Sequence, residues 1–320
     1  MGKDQLHAAI VENDGTVKVV GSASSLFPWW SFTKTVLAIC AFRLVEEGLI
    51  DLEGLRPGKP FTLRQLLQHR AGVPEYGNLS AYHDAVARRD PPWSRARLLE
   101  EVQADRLDFE PDTGWAYSNV GYLFVRDAIE QATGLSLADA LKRFVTAPLA
   151  LQSVELAMKP SDFLRMHWPP AGNYDPGWVY HGCLTGTSLD AARILHALFH
   201  GKILTSDSLQ AMLDTHRIAG AIPGRPWSSC GYGLGLMSGQ VDAVGRVIGH
   251  SGAGPFCVNA VYHFPDIARP VTVATFMEGG SEGPAEFEAV HLALQQPSFR
   301  DNTRVGIHAT TRNLRARRSY

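Results

Sequence analysis

Apolar residues change their spacing twice along this chain, which separates strand-rich ends from a helical middle. Near the amino end, the β-rich runs Leu6–Glu12 and Thr16–Val20 flank Asn13-Asp14-Gly15, a hairpin turn signal because Asp-Gly tolerates positive φ. From about residue 51 to 225 the spacing is mainly helical, and afterwards it returns to that of strands. We therefore predict an α+β fold in which one antiparallel sheet, built from both ends and flanked by helices, carries an inserted, mainly helical domain.

The individual elements follow from the same spacing. The predicted helices after the first are Leu63–His69, Ala81–Arg89, Ser94–Val102, Asn119–Thr133, Ser136–Phe144, Ser188–Gly201, Ser206–Thr215 and Pro284–Gln295. The predicted strands near the carboxyl end are Gly231–Gly239, Ala243–Gly249, Phe256–Phe264 and Pro270–Met277. The pattern assigns residues 1–50 and 226–297 to a discontinuous sheet domain, 51–225 to the helical domain and 298–320 to a loosely held, Arg-rich tail.

The first helix begins with a serine and a lysine three positions apart. Apolar residues recur with mostly helical spacing from residue 36 to 45, which places Ser31 and Lys34 in the first turn. Side chains at that separation share a face, with Cβ atoms about 5–6 Å apart. Burial and the positive end of the helix dipole both favour a neutral, basic amine beside the hydroxyl. The S-x-x-K pattern predicts Ser31 as a nucleophile activated by Lys34, although a helix cap with a solvated lysine gives the same pattern.

A second motif, Tyr117-Ser118-Asn119, follows a Pro-Asp-Thr-Gly turn and opens a predicted helix. A phenol has a pKa near 10, and the charge of Lys34 would lower it, so that Tyr117 takes the Ser31 proton and returns it to a leaving group. Asn119 offers an acceptor and donors that suit the lysine and a substrate amide. In the alternative interpretation, Ser118 or Asn119 is an N-cap and Tyr117 a core residue.

The third motif is Gly249-His250-Ser251-Gly252-Ala253-Gly254, placed after a predicted strand that ends at Ile248. Its glycines let a substrate approach the strand edge closely. The backbone N–H of Ala253, just past Gly252, would pair with that of Ser31 as an oxyanion hole. We expect His250 to face the same cleft.

Two other sequence patterns compete with these motifs. Gly-His-Ser-Gly-Ala is close to a nucleophile elbow, and Ser251, Asp266 and His308 follow in the order Ser, Asp, His. An elbow needs a helix directly after the serine, whereas a strand is predicted there. His196 and His200 have the i, i+4 spacing of metal ligands, but no third ligand accompanies them, so we predict no metal.

Composition narrows the class of protein. The 320 residues are 45% hydrophobic and 19% charged, with a net charge of −2, which gives no basic surplus for nucleic acid. No apolar run is long enough for a membrane span and the amino end has no signal core, so a cytoplasmic protein is expected. Neither C-x-x-C nor zinc spacing occurs, and we expect reduced core thiols at the cysteines Cys40, Cys183, Cys230 and Cys257.

The order S-x-x-K, Tyr-Ser-Asn, His-Ser-Gly resembles the serine β-lactamase and penicillin-binding-protein superfamily over residues 8–296. In particular it is similar to the class C β-lactamase-like branch, with its family VIII esterases, D-aminopeptidases and D-alanyl-D-alanine carboxypeptidases. The resemblance implies a β-lactamase/transpeptidase-like fold, Ser31 as the acylated nucleophile, and Lys34 and Tyr117 as its bases. It further implies substrate-binding and oxyanion roles at Asn119, His250, Gly252 and Ala253.

One departure shapes the predicted substrate. His250 stands where many relatives have lysine, and an imidazole that is neutral at pH 7 holds a substrate carboxylate less firmly. We therefore predict a serine hydrolase that acts through a Ser31 acyl-enzyme on small esters or D-amino-acid-type amides or peptides, without a cofactor. A β-lactam hydrolase, a D-Ala-D-Ala carboxypeptidase and a non-catalytic ligand-binding relative remain alternatives.

Overall fold

Strands from the two ends of the chain pair in one sheet, as the change in apolar spacing predicts. A computed structural model describes residues 6–295. The strands are, in chain order, β1 (Leu6–Glu12), β2 (Val17–Val20), β3 (Phe27–Pro28), β4 (Glu155–Ala157), β5 (Cys183–Gly186), β6 (His216–Ala219), β7 (Ser229–Tyr232), β8 (Met237–Val241), β9 (Gly245–Ala253), β10 (Cys257–Phe264) and β11 (Val271–Glu278). In the described part of the chain, an antiparallel sheet has the order β2-β1-β11-β10-β9-β8-β7-β6, and a small second sheet has the order β3-β5-β4.

Most of the predicted helices form, with shifts of a few residues at their ends. They are α1 (Phe32–Glu46), α2 (Leu63–Leu67), α3 (Ser80–Ala87), α4 (Arg95–Glu101), α5 (Asn119–Thr133), α6 (Leu137–Leu141), α7 (Pro160–Phe163), α8 (Ser188–Phe199), α9 (Ser206–Met212) and α10 (Gly283–Leu294). The ends of α5 show why the sequence located it well. The Ser118 hydroxyl caps the first turn by accepting from Gly121 N–H, and Gly134 ends the helix with φ 64°.

Helices cover both faces of the large sheet, so its central strands are buried on both sides. Helices α1 and α8 pack on one face and α10 on the other. The alternation along β1 reflects this arrangement, because Ala9 and Val11 join one hydrophobic core while Ala8 and Ile10 join the second. The fold class predicted from the sequence, an antiparallel sheet flanked by helices, is confirmed.

Helix α1 is buried from Phe32 to Phe42, and the β7–β8 turn packs directly against it. Gly235, in that turn, has φ 83°, and a Cβ there would lie 2.3 Å from the Cβ of Ala38. The Thr35 hydroxyl donates to the Gly235 carbonyl at 2.7 Å. The prediction of a single strand over Gly231–Gly239 is therefore wrong: the chain turns there, because only a glycine allows both the positive φ and the close approach to α1.

Other predictions also need correction. Strands β3 to β6 were missed, since each has only two to four residues and no alternation to detect. The helix predicted over Ser136–Phe144 is regular only to Leu141 and continues as a π-helix, Lys142–Thr146. Strand β6 and helix α8 come from the range 51–225, yet β6 pairs within the large sheet and α8 packs on it. The division into two domains stays a prediction, and the tail 298–320 lies outside the described residues.

All four cysteines are free and buried, as predicted. Between residues 6 and 295, no helix combines the length and apolar character needed to cross a membrane.

Candidate active site

A constrained turn presents Ser31 at the start of α1. The preceding residue, Trp30, has φ 44°, a conformation that non-glycine residues seldom adopt. Its indole N–H donates to the Cys257 sulfur at 3.2 Å, and the Asn259 amide donates to the Trp29 carbonyl at 3.1 Å. Because β10 carries both Cys257 and Asn259, the sheet holds the turn in place. Ser31 occupies the N-cap position but makes no side-chain capping bond, which leaves its hydroxyl available to other partners.

The lysine and tyrosine predicted from the sequence both contact the Ser31 hydroxyl. The Lys34 Nζ lies 3.1 Å from Ser31 Oγ, and the Tyr117 hydroxyl donates to the same oxygen at 2.7 Å. Lys34 also donates to Asn119 Oδ1 at 2.6 Å. The first two motifs, 86 positions apart in the chain at Ser31 and Tyr117, therefore meet in three dimensions.

Burial changes the acid–base character of Lys34. The side chain is completely buried in the site, and this burial lowers the pKa of Lys34 to about 7, although the nearby Glu75 and Cys183 raise it in part. Removing an ammonium from water disfavours its charge, as expected from the sequence. Near neutral pH, a substantial fraction of Lys34 is therefore a neutral amine able to accept a proton.

The structure contradicts the predicted direction of the Tyr117 pKa. We expected a neighbouring ammonium to lower its phenol pKa, but burial raises the pKa of Tyr117 well above 10, and the hydrogen bond with Ser31 offsets this only in part. That expectation was wrong because removal of the phenolate from water outweighs the attraction of a lysine that is itself partly neutral. At neutral pH Tyr117 is a phenol that donates to Ser31.

Glu75 is a residue of this site that sequence analysis missed. Its carboxylate accepts from the backbone N–H of Asn119 and, at 2.8 Å, from the side-chain Nδ2. A carboxylate only accepts, so Nδ2 must face Glu75 and Oδ1 must face Lys34. Glu75 thereby fixes the orientation of the amide that holds the lysine. Its position, soon after the Gly72-Val73-Pro74 turn, carried no spacing signal.

Two buried histidines were also missed. His69, with φ 60°, places its ring 4.4 Å from that of Tyr117, and its Nδ1 accepts from the Ser118 N–H. His181 places Nε2 3.2 Å from Lys34 Nζ. Burial, and then the charge of Lys34, lowers the pKa of both imidazoles well below 6.5. A lone histidine on an apolar stretch gives no sign of such a contact.

Residues 249–253 of the third motif lie within β9, so the motif does not follow a strand as predicted. His250 is buried, and its Nε2 lies 2.9 Å from the Tyr232 hydroxyl. Burial lowers the pKa of His250 to about 3, so the imidazole is neutral at pH 7. His250 is not among the residues that line the Ser31 pocket, which differs from the expectation that it faces the cleft, because its side chain is buried against Tyr232.

Strand β9 packs against the nucleophile turn at Gly252. A Cβ there would lie 2.8 Å from the Ser31 backbone nitrogen and 2.9 Å from the Trp30 Cβ. Only glycine allows this approach without displacing the turn. The next residue, Ala253, lines the same pocket as Ser31. The two residues whose backbone N–H groups are predicted to form the oxyanion hole, Ser31 and Ala253, therefore line one pocket.

Within residues 6–295, neither competing pattern has the geometry that its chemistry requires. The Ser251 hydroxyl accepts from Arg225 at 2.9 Å. Ser251 lies within β9 and no helix follows it directly, so the residues around it do not form a nucleophile elbow. Its third member, His308, lies outside the described residues. The rings of His196 and His200 stack 3.8 Å apart, and no group of three or more metal-ligating side chains occurs between residues 6 and 295.

A pocket of about 370 Å³ opens in front of Ser31. The residues that line it are mostly aromatic or apolar, with a few polar side chains and short backbone segments between them. They are Trp30, Ser31, Tyr76, Gly77, Tyr82, His83, Val86, Asn119, Tyr174, Val179, His181, Ala253, Gly254, Pro255 and Gly280.

Comparison with known proteins identifies the family. The family model described as Beta-lactamase matches residues 6–296, which is most of the chain. The chain belongs to the Beta-lactamase family. Its predicted place among the β-lactamase and penicillin-binding-protein superfamily of serine hydrolases is thereby confirmed.

Relatives within this family are distant. Penicillin-binding protein 4* of Bacillus subtilis is 24% identical over 317 residues, covering 86% of this chain and 66% of that protein. The chain thus spans slightly less than two thirds of this relative's length. Lovastatin esterase of Penicillium rubens is 24% identical, with 67% of this chain and 70% of that protein covered. A D-stereospecific amidohydrolase structure from Streptomyces sp. has a TM-score of 0.74 at 24% identity, covering 91% of this chain and 94% of that chain, and so shares the fold.

Proposed function

We propose that this Beta-lactamase family member is a serine hydrolase that cleaves esters or amides through an acyl-enzyme on Ser31. The observation that carries the proposal is the contact of two proton-transfer groups, Lys34 Nζ at 3.1 Å and Tyr117 OH at 2.7 Å, with one hydroxyl that lines a pocket. A nucleophile and base within hydrogen-bond reach, with the base oriented by a third group such as Asn119, is the arrangement that nucleophilic catalysis requires.

In the acylation step, the neutral Lys34 amine accepts the Ser31 proton as Ser31 Oγ bonds to the substrate carbonyl carbon. The carbonyl π electrons move to oxygen, and the backbone N–H groups of Ser31 and Ala253 hold that oxyanion. When the carbonyl re-forms, the bond to the leaving group breaks. The proton on Lys34 passes to the leaving alkoxide or amine through the Tyr117 hydroxyl, which gives one proton and receives one.

Deacylation repeats these roles with water. A water molecule takes the place of the leaving group, and its proton passes through Tyr117 to Lys34 as its oxygen bonds to the acyl carbon. Collapse of the second tetrahedral intermediate breaks the bond to Ser31 Oγ, which regains its proton from Lys34. The enzyme returns to its starting protonation, and a carboxylic acid leaves.

The pocket favours uncharged, apolar groups on the substrate. Trp30, Tyr76, Tyr82 and Tyr174 supply aromatic surface, and the lining contributed by residues 6–295 contains no Asp, Glu, Lys or Arg. A neutral His250 also offers no cation for a carboxylate. Apolar esters and D-amino-acid-type amides therefore suit the site better than substrates that carry a carboxylate, such as β-lactams or peptides that end in D-alanine. The name of one relative, a lovastatin esterase, fits this preference.

The test is a substrate panel with matched serine variants. We expect the protein to hydrolyse p-nitrophenyl esters or D-amino-acid p-nitroanilides, and Ser31→Ala to abolish turnover. Ser251→Ala is the control, because Ser251 bonds Arg225 away from the Ser31 pocket. A fluorophosphonate should add one label to the wild type and to Ser251→Ala, but none to Ser31→Ala, as measured by intact mass. Full turnover by Ser31→Ala would refute the proposal, and an unlabelled, inactive wild type would favour a non-catalytic ligand-binding relative.

A further inference from the structure

We propose that His181 is a positioning residue for the base: its Nε2 accepts an N–H of Lys34 and so turns the amine lone pair toward Ser31. The inference rests on the proposed function and adds a residue to it. His181 acts through Lys34, not on the substrate. Its Nε2 lies 3.2 Å from Lys34 Nζ, and the imidazole is 2% exposed.

The number of hydrogen-bonding positions on the amine supports this assignment. Within residues 6–295, Lys34 Nζ has three hydrogen-bonding neighbours: Asn119 Oδ1 at 2.6 Å, Ser31 Oγ at 3.1 Å and His181 Nε2 at 3.2 Å. A neutral amine has two N–H donors and one lone pair. Asn119 Oδ1 only accepts, so it takes one N–H. If His181 takes the other, the lone pair faces Ser31.

The same neighbours also suit the protonated lysine. An ammonium has three N–H donors, and Asn119 Oδ1, His181 Nε2 and Ser31 Oγ can then accept one each. The proton can therefore move from Ser31 to Lys34 without any change of hydrogen-bond partners. Sites that need no rearrangement during the reaction stabilise the developing charge most effectively.

The opposite tautomer of His181 would have the opposite effect. If Nε2 carried the proton, it would donate to the amine lone pair and compete with Ser31 for it. His181 Nδ1 is buried and has no hydrogen-bond partner within residues 6–295, so the contact with Lys34 is the polar contact that the structure shows for this ring. Burial and the charge of Lys34 keep the imidazole neutral, with a pKa well below 6.5.

The chain holds His181 firmly against α1. The next residue, Gly182, has φ 100°, which only glycine adopts readily, and it leads directly into β5. In β5, the Leu184 N–H donates to the Thr33 hydroxyl at 3.0 Å, and the Leu184 carbonyl accepts from Trp29 N–H at 2.8 Å. The strand is thus tied to both sides of the nucleophile turn, and His181 keeps a fixed distance from Lys34.

Other titratable groups around Lys34 stay unchanged in the experiment. Those that contact it or interact with its charge, apart from His181, are Tyr117, Tyr122, His69, Glu75, Cys183 and His250. Because the variants below alter His181 alone, a change in the pH profile reports on the His181–Lys34 contact.

The experiment compares His181→Gln with His181→Asn. From the backbone, Gln Oε1 is as many bonds away as His Nε2, so it can accept from Lys34, whereas the Asn oxygen is one bond short. Loss of an acceptor stabilises the ammonium less than before and lowers the Lys34 pKa further. For His181→Asn and His181→Phe we expect kcat to fall about 10- to 100-fold with little change in KM, and the acid limb of kcat/KM against pH to move about one unit lower.

His181→Gln should restore most of kcat and the wild-type acid limb. His263→Gln is the control for loss of a buried histidine, since His263 bonds Thr272 between β10 and β11, stacks on Phe199 of α8, and is not among the residues that line the Ser31 pocket. A higher acid limb in His181→Asn would mean that Nε2 donates to the amine, and it would overturn the inference. So would equal losses in Gln and Asn variants that melt normally, or a raised KM at unchanged kcat.

Failure of this inference differs from failure of the proposed function. If a fluorophosphonate labels Ser31 in the wild type but the His181 variants keep its kcat and pH profile, only the role of His181 is refuted. If the wild type is neither labelled nor active, the proposed function itself fails. Should His181→Phe not fold, the Gln and Asn pair still decides, because both are polar and smaller than the imidazole.

Discussion

Glu75 accepts hydrogen bonds from both the backbone N–H and the side-chain amide of Asn119. The amide can therefore present only its oxygen to Lys34, to which it is joined at 2.6 Å. Glu75 also accepts from its own turn, at Gly77 N–H, so the carboxylate is held on three sides. The orientation of the base thus depends on a residue outside the three sequence motifs.

Replacement of Glu75 should reveal that dependence. In Glu75→Gln the amide side chain no longer fixes which end of Asn119 faces Lys34, and a negative charge that raises the Lys34 pKa is lost. We expect kcat to fall about tenfold and the acid limb of the kcat/KM profile to move to lower pH. Steady-state kinetics on one neutral ester between pH 5 and 9 measure both.

A surface carboxylate provides the control for that change of charge. Glu155 pairs with Arg165 at the surface, so Glu155→Gln should keep wild-type kinetics. An unchanged acid limb in Glu75→Gln would show that Asn119 and Lys34 keep their arrangement without the carboxylate.

The lowered pKa of Lys34 predicts the pH dependence of the wild type. Only the neutral amine accepts the Ser31 proton, and burial lowers the Lys34 pKa to about 7. Activity should therefore rise with pH and reach half its plateau near pH 7. A flat profile from pH 5 to 9 would contradict the assignment of Lys34 as base.

Tyr117→Phe should lower kcat by about 10²- to 10⁴-fold while the acid limb of the pH profile remains, because that limb belongs to Lys34.

Gly252 should tolerate no side chain. In Gly252→Ala the new methyl group would lie 2.8 Å from the Ser31 nitrogen, so either β9 or the nucleophile turn must move. We expect a loss of about 10²-fold or more in kcat, because both backbone N–H donors of the oxyanion shift. Gly220→Ala is a matched control, since the nearest atom to its Cβ would be 4.0 Å away. Wild-type kcat in Gly252→Ala would exclude this oxyanion geometry.

Acid should destabilise the fold through two histidines, the half-buried His196 and the buried His263. Burial lowers the pKa of His196 to about 4 and of His263 to about 3, below the ordinary 6.5. Between pH 6.5 and these values the unfolded chain binds more protons than the folded one, so the free energy of unfolding falls as pH falls through that window. The groups that face His263 are His196, His200 and Arg246.

The variant His263→Gln removes one of these titrations. Thermal melting at pH 7.5 and pH 5 should show a fall in Tm that is smaller in this variant than in the wild type, by about 2–4 °C. His291→Gln, at an exposed position, should fall as the wild type does. Equal falls in all three proteins would mean that His263 does not contribute to the acid sensitivity.

The sequence by itself located the elements that local chemistry defines. Helix α5 was predicted residue for residue, because Ser118 caps it and Gly134 ends it. Ser31 and Lys34 were paired correctly because three positions on a helix bring side chains together, whatever surrounds them. The family followed from the order of three motifs, which is also a property of the sequence alone.

Only the tertiary structure decided what surrounds the nucleophile. Glu75, His69 and His181 lie between 38 and 150 positions from Ser31, and no local spacing links them to it. The direction of the Tyr117 pKa could not be obtained from the sequence either, because it depends on how completely the fold removes the phenol from water. Local periodicity fixes helices and strands, whereas burial and contacts between distant segments arise only when the chain packs.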